Sequence, residues 1–112
     1  MPFTDDGELP EIETDEAIEL VAGGAILVDV REQDEWDAGH APTAVFLPMS
    51  ELKDRVEDLP SDRQLLIICH SGGRSLRVTN FLLTAGYDAV NVVGGMSAWA
   101  AHGGPVETAQ AS

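Results

Sequence analysis

The chain has 112 residues, 44% of them hydrophobic, which corresponds to one domain that can bury a core without metal or disulfide support. Its formal net charge of −14 argues against nucleic acid or an anionic membrane surface as a partner. No apolar run is long enough to span a membrane, and the first residues lack the basic and apolar segments of a secretory signal, so we expect a cytoplasmic protein.

Predicted strands and helices alternate along the chain. The acidic residues 1–10 are expected to form a flexible arm, residues 11–106 the folded domain, and residues 107–112 a flexible tail. Thr14 is predicted to cap a first helix that ends at two glycines, Gly23 and Gly24. The apolar periodicity then predicts strands over 25–30, 44–48, 64–68 and 88–93, and helices over 33–38, 50–58, 75–85 and around Trp99.

This alternation predicts an α/β fold in which helices cover both faces of a parallel sheet. Open sheets of this kind bind ligands beyond the carboxyl ends of their strands. Arg31 follows the strand predicted over 25–30, and Cys69 follows the strand predicted over 64–68. We therefore expect both residues at one edge of the sheet.

Cys69 is the single cysteine of the chain, so an intramolecular disulfide is impossible. It opens the segment Cys69-His70-Ser71-Gly72-Gly73-Arg74-Ser75, which joins a predicted strand to a predicted helix. A glycine-rich loop can turn its N–H groups inward as an anion-binding nest, and the following helix adds its positive end. A thiol there is expected to ionise easily, whereas an inert cysteine in an ordinary glycine-rich turn is the alternative.

Several motifs resemble those of the rhodanese family. Residues 28–40, VDVREQDEWDAGH, are similar to the family's entry motif, in which Asp, Arg and Glu follow a strand and Gly-His follows the Arg. The loop CHSGGRS matches the active-site pattern Cys-x-x-Gly-x-Arg-Ser. GGMSAW at 94–99 and HGGPV at 102–106 are similar to its closing segments. The resemblance extends from about residue 11 to 106.

The resemblance implies a three-layer fold with a five-stranded parallel sheet and helices on both faces. It also implies a sulfurtransferase in which Cys69 takes a sulfane sulfur from thiosulfate or a similar small anion as a persulfide. A thiol or protein acceptor, or cyanide in an assay, then removes the sulfur. The residues of the loop, from His70 to Ser75, would hold the persulfide, with Asp29 and Arg31 in supporting positions.

Two alternatives belong to other classes. One is a sulfur relay or protein-binding module with little turnover of free thiosulfate. The other is a phosphatase or arsenate reductase, but four residues separate Cys69 from Arg74, whereas those related families have five and a wider loop. The residue after the cysteine, His70, is mostly neutral at pH 7, where some members of the rhodanese family have a basic residue. The physiological donor therefore stays open.

The remaining candidates are weighed against structural roles. Asp29 is expected to form an ion pair with Arg31, and a substrate contact by Arg31 or Arg77 stays open. Glu32 and Glu35 are expected to be solvated or hydrogen-bonded to the loop. His40 is predicted to be a structural hydrogen bonder, because no second ligand lies at metal spacing from it. We expect His102 at the surface, Trp36 and Trp99 in the core, and no metal or cofactor beyond the persulfide.

Overall fold

The computed structural model describes residues 9–108. Five strands lie at β1 (Glu11–Ile12), β2 (Ile26–Asp29), β3 (Val45–Phe46), β4 (Leu65–Ile68) and β5 (Ala89–Val92). Five helices lie at α1 (Thr14–Ala22), α2 (Gln33–Ala38), α3 (Leu52–Arg55), α4 (Gly73–Thr84) and α5 (Gly95–Ala101). Short 3-10 turns at Met49–Glu51 and Val56–Asp58 flank α3, so the helix predicted over 50–58 is regular only at its centre.

The strands form one parallel sheet in the order β1-β5-β4-β2-β3. In the central part, Val28 is in register with Ile67, and Ile67 with Asn91. All four residues of β4 are buried, as expected for a central parallel strand that is covered on both faces. The edge strand β1 has only two residues, and no apolar run in the sequence predicted it.

Two apolar layers fill the space between the sheet and its helices. On one face, Leu52 of α3 and Val78 and Leu82 of α4 pack in a cluster that includes Cys69. On the other face, Ala17 of α1 and Trp99 of α5 belong to a second cluster. The α/β fold with helices on both faces of a parallel sheet is thus confirmed. Cys69 directly follows the carboxyl end of the central strand β4 and is buried there.

Two local predictions differ from the structure. Thr14 is the first residue of α1 instead of its N-cap, which is Glu13. The Thr14 hydroxyl donates to the carbonyl oxygen of Val93 at 2.5 Å, because α1 packs this buried residue against the end of β5. Glu107, expected to begin the tail, exchanges two backbone hydrogen bonds of 2.8 Å with His40.

The rest of the predicted arm and tail, residues 1–8 and 109–112, lies outside the described residues. Residues 9 and 10 of the arm do belong to the fold, since the carbonyl oxygen of Pro10 accepts a hydrogen bond from the backbone N–H of Asn91. Across the described part of the chain, no helix has the length and apolar character needed to cross a membrane. The cytoplasmic location stays a prediction.

Candidate active site

The segment from Cys69 to Gly72 turns the chain from β4 into α4. Gly72 has a φ of +113°, a left-handed conformation that strongly favours glycine, and it is the N-cap of α4. This turn points the N–H group of Gly72 back at Cys69, with 3.1 Å between the nitrogen and Sγ. The structure thus brings the predicted loop together around the sulfur, with His70 and Ser71 exposed at its outer side.

Cys69 is almost fully buried, with 1% of its surface exposed. Burial opposes ionisation of its thiol, but hydrogen bonds donated to the sulfur by the Ser75 hydroxyl and by the backbone N–H groups of Ser75, Gly72 and Ser71 favour the thiolate. The balance places the pKa of the Cys69 thiol below its ordinary value. The loop therefore favours the thiolate, which is the reactive form of a cysteine, more than water does.

Ser75 is the first residue of the helix predicted over 75–85 and was for that reason expected to cap it, but it does not cap α4. It lies within the first turn of the helix and is fully buried, with its Oγ 3.3 Å from Cys69 Sγ. The hydroxyl also lies 3.2 Å from the carbonyl oxygen of Gly72 and 2.5 Å from Oδ1 of Asn91. Ser75 is thus a direct neighbour of the Cys69 sulfur and part of a buried polar chain.

Helix α5 holds the other side of the loop. The backbone N–H of Met96 donates to the carbonyl oxygen of Cys69 at 2.7 Å, and that of Ser97 donates to the carbonyl oxygen of His70 at 2.9 Å. Gly95 lies so close to these carbonyl groups that a Cβ at this position would clash with the loop backbone. Gly95 of the GGMSAW segment therefore allows the start of α5 to lie directly against the backbone of Cys69 and His70.

Arg74 does not offer an unpaired positive charge to the loop. Its guanidinium forms two hydrogen bonds with the Glu35 carboxylate, of 2.6 and 2.7 Å. Hydrogen bonding to Arg74 lowers the pKa of Glu35 from 4.5 to about 2, and the reciprocal bond to Glu35 raises the pKa of Arg74. Of the two roles expected for Glu35, hydrogen bonding to the loop is the one the structure has.

Asp29 and Arg31 form a buried ion pair, as expected. The Arg31 guanidinium contacts Asp29 Oδ2 at 2.8 Å and also donates to the carbonyl oxygen of Gly39 at 2.6 Å. Asp29 is completely buried at the end of β2, and its Oδ1 also accepts the backbone N–H of Arg31 at 3.0 Å. This pair anchors the chain that leads into and out of α2.

An open cleft of about 400 Å³ lies beside the loop. Arg31, Glu35 and His70 line it together with residues of α5 and with Val106. Arg77 is exposed on α4 and lines a different groove, between α4 and Met49. The structure thus places Arg31 at the cleft, with its charge already paired, and leaves Arg77 outside it.

The family model for the rhodanese-like domain matches residues 13–102. The chain belongs to the rhodanese-like domain family. A sulfurtransferase of Allochromatium vinosum is 42% identical over 82 residues, which cover 72% of this chain and 77% of the relative. Among solved structures, a rhodanese-related protein of Thermoplasma volcanium superposes with a TM-score of 0.83 at 31% identity, covering 88% of this chain and 97% of that one. A rhodanese-like domain protein of Staphylococcus aureus gives 0.82 at 34% identity, covering 89% and 98%.

The histidine and tryptophan side chains that were weighed in the sequence analysis lie away from the Cys69 loop or pack within the fold. Nδ1 of His40 lies 2.8 Å from the carbonyl oxygen of Trp36, and the two rings stack with centroids 3.7 Å apart. Trp99 is fully buried and His102 is exposed, as expected, whereas Trp36, expected in the core, is only half-buried and belongs to neither apolar cluster. Among residues 9–108, no group of three His, Cys, Asp or Glu side chains is arranged to hold a metal ion.

Sequence reasoning missed one residue of the site completely. Asn91 lies in the middle of an apolar run, DAVNVV, and is 2% exposed in the structure. A polar residue inside a strand that is buried on both faces requires a hydrogen-bonding partner. That pattern was the available signal, but only the packing of α4 on β5 identifies Ser75 as the partner.

Proposed function

We propose that this rhodanese-like domain is a sulfurtransferase that moves a sulfane sulfur from thiosulfate or a similar donor to a thiol, or to cyanide in an assay, through a persulfide on Cys69. The observation that carries the proposal is the position of Sγ, which is surrounded by the N–H of Gly72 and the hydroxyl of Ser75 at the start of α4. Similarity to the Allochromatium vinosum sulfurtransferase supports the same chemistry.

The reaction has two displacement steps at sulfur. The Cys69 thiolate attacks the outer sulfur of thiosulfate, the bond between the two donor sulfurs breaks, and sulfite leaves with the electron pair. An acceptor thiolate, or cyanide, then attacks the terminal persulfide sulfur, and Cys69 leaves as a thiolate. Both steps need a stabilised sulfur anion, which the loop N–H groups supply and to which the Ser75 hydroxyl adds when its hydrogen is directed to the sulfur. The sulfur is carried covalently, so the proposal requires no metal or cofactor.

An intact-mass measurement tests the proposal. Incubation with thiosulfate is expected to add the mass of one sulfur atom, and cyanide is expected to remove it. The matched control is Cys69→Ser, which keeps the size of the side chain and is expected to stay unmodified. No adduct on the wild-type protein, or an equal adduct on Cys69→Ser, would contradict the proposed persulfide.

A sulfur relay between proteins is the second candidate, and the charges beside Cys69 favour it over rapid turnover of free thiosulfate. Thiosulfate carries two negative charges, the chain has a net charge of −14, and two guanidinium groups are already paired, that of Arg31 at the cleft with Asp29 and that of Arg74 at the start of α4 with Glu35. A protein persulfide presents its sulfur without that dianionic charge.

Parallel rate measurements separate the two candidates. If the domain is a relay, a persulfide donor protein transfers sulfur to Cys69 much faster than thiosulfate does at equal concentration. If thiosulfate is the faster donor and its rate falls only modestly between high and low ionic strength, the relay is excluded. Phosphatase activity is tested with a generic aryl phosphate, and we expect no hydrolysis that depends on Cys69.

A further inference from the structure

A buried chain of polar side chains connects the nucleophile to the edge of the sheet. It runs from Cys69 Sγ to Ser75 Oγ at 3.3 Å, from Ser75 Oγ to Asn91 Oδ1 at 2.5 Å, and from Asn91 Nδ2 to Glu11 Oε2 at 3.3 Å. Ser75 is fully buried and Asn91 is 2% exposed, so water does not compete for their hydrogen bonds. Glu11 lies on the exposed edge strand β1.

Three acceptors compete for the single hydroxyl hydrogen of Ser75. They are Asn91 Oδ1 at 2.5 Å, the carbonyl oxygen of Gly72 at 3.2 Å and the sulfur of Cys69 at 3.3 Å. While the hydrogen lies on the short bond to Asn91, the Ser75 oxygen can only accept from Cys69, and this arrangement favours the neutral S–H form. A thiolate requires the opposite direction, with Ser75 donating to the sulfur.

The amide of Asn91 can satisfy either arrangement. With Oδ1 toward Ser75 it takes the hydroxyl hydrogen. After a half-turn of the amide, Nδ2 would donate to Ser75 Oγ and leave the hydroxyl hydrogen available to the sulfur. The half-turn would place Oδ1 against the carboxylate of Glu11, where two acceptors meet with no hydrogen between them. Glu11 therefore selects the orientation that keeps the hydrogen away from Cys69.

We propose that Asn91 is a positioning residue for the nucleophile, and that the orientation of its amide, held by Glu11, decides whether the Ser75 hydroxyl hydrogen is directed to Cys69. The inference rests on Cys69 being the nucleophile of the proposed function. It adds to the site Glu11, which lies on the edge strand β1. Ionisation of Cys69 and the turn of the Asn91 amide become coupled events.

The variant Glu11→Gln tests the inference, because its amide group can donate to Asn91 Oδ1 after the half-turn. We expect the pH profile of Cys69 alkylation by iodoacetamide to move to lower pH, with an alkylation rate about fivefold higher below the pKa, as for one hydrogen bond gained by the thiolate. Removal of a negative charge also favours a thiolate at long range. Glu13→Gln is the matched control, since it removes the same negative charge from another exposed glutamate only two residues along the chain.

The same substitutions made together with Ser75→Ala test whether the effect depends on the Ser75 hydroxyl. In Ser75→Ala no hydroxyl hydrogen is available, so Glu11→Gln and Glu13→Gln are expected to shift the profile equally. Arg74 is the charged side chain that acts on Cys69 from α4, and it is unchanged in every variant. Thermal unfolding of each variant verifies that it is folded.

A shift in Glu11→Gln no larger than in Glu13→Gln would overturn the inference, and so would an excess shift that persists in Ser75→Ala. Asn91→Asp provides an independent measurement, because a carboxylate at this position can only accept. Its profile is expected to move to higher pH, and this shift is expected to shrink in the Ser75→Ala background. Alkylation needs no sulfur donor, so the result is independent of whether the persulfide forms.

Discussion

The ion pair between Arg74 and Glu35 is expected to stabilise the fold in a way that disappears at acidic pH. Glu35→Gln keeps the shape of the side chain and one acceptor oxygen but removes the charge. The pKa of Glu35 is lowered from 4.5 to about 2 by its hydrogen bonds to Arg74. A difference of one pKa unit between the folded and unfolded states corresponds to about 1.4 kcal/mol.

The full shift would correspond to roughly 3 kcal/mol at neutral pH. Both side chains are about one-third exposed, Arg74 at 32% and Glu35 at 29%. Solvent screening therefore reduces the expected loss in the free energy of unfolding of Glu35→Gln to about 1–2 kcal/mol. For a domain of this size that corresponds to a fall in Tm of roughly 5–10 °C.

The sign of the pH dependence follows from the lowered pKa of Glu35. The stabilisation is fully present above the unfolded pKa of 4.5 and is lost as the pH falls toward the folded value of about 2. The difference between wild type and Glu35→Gln should thus be largest at pH 7, smaller at pH 4 and smaller again at pH 3. Urea unfolding at these three values measures it.

A matched variant separates this pair from a general effect of charge. Glu51→Gln removes a carboxylate that contacts Arg55 at 3.0 Å, but the Glu51 side chain is 53% exposed. The expected loss there is much smaller, because solvent screens an exposed ion pair. If Glu35→Gln destabilises equally at pH 3 and pH 7, or no more than Glu51→Gln, the ionised pair does not hold the loop to α2 as described.

Two further substitutions test the structural supports of the loop. Asp29→Asn leaves the buried Arg31 without its counter-ion, and we expect a loss of about 3–5 kcal/mol in the free energy of unfolding, measured by urea denaturation; a loss below about 1 kcal/mol would contradict the buried ion pair. Gly95→Ala pushes a methyl group into the loop backbone and is expected to slow alkylation of Cys69 at least tenfold. The control is Gly103→Ala. Gly103 also has a positive φ, but it has open space around it, so this variant is expected to leave the rate unchanged. Equal rates in these two variants would show that α5 does not position the loop.

The sequence by itself determined most of the chain's local structure. Apolar runs located strands β2, β3, β4 and β5 to within about two residues, and the periodicity of α4 and the position of the glycine-rich loop after β4 were correct. These features depend on neighbouring residues and on side-chain spacing, which the sequence displays directly. The short edge strand β1 was missed because its two residues acquire their strand structure from pairing with β5 and have no pattern of their own.

Tertiary structure alone decided how the site around Cys69 is assembled. The partner of Arg74 is Glu35, 39 positions earlier in the chain, and the loop carbonyls are held by the first turn of α5. Ser75 turned from a predicted cap into a neighbour of the sulfur, because Asn91 of β5 lies beneath the start of α4. Such contacts depend on the order of the parallel strands in the sheet. Residues far apart in sequence meet only when the helical crossover connections have placed their strands side by side.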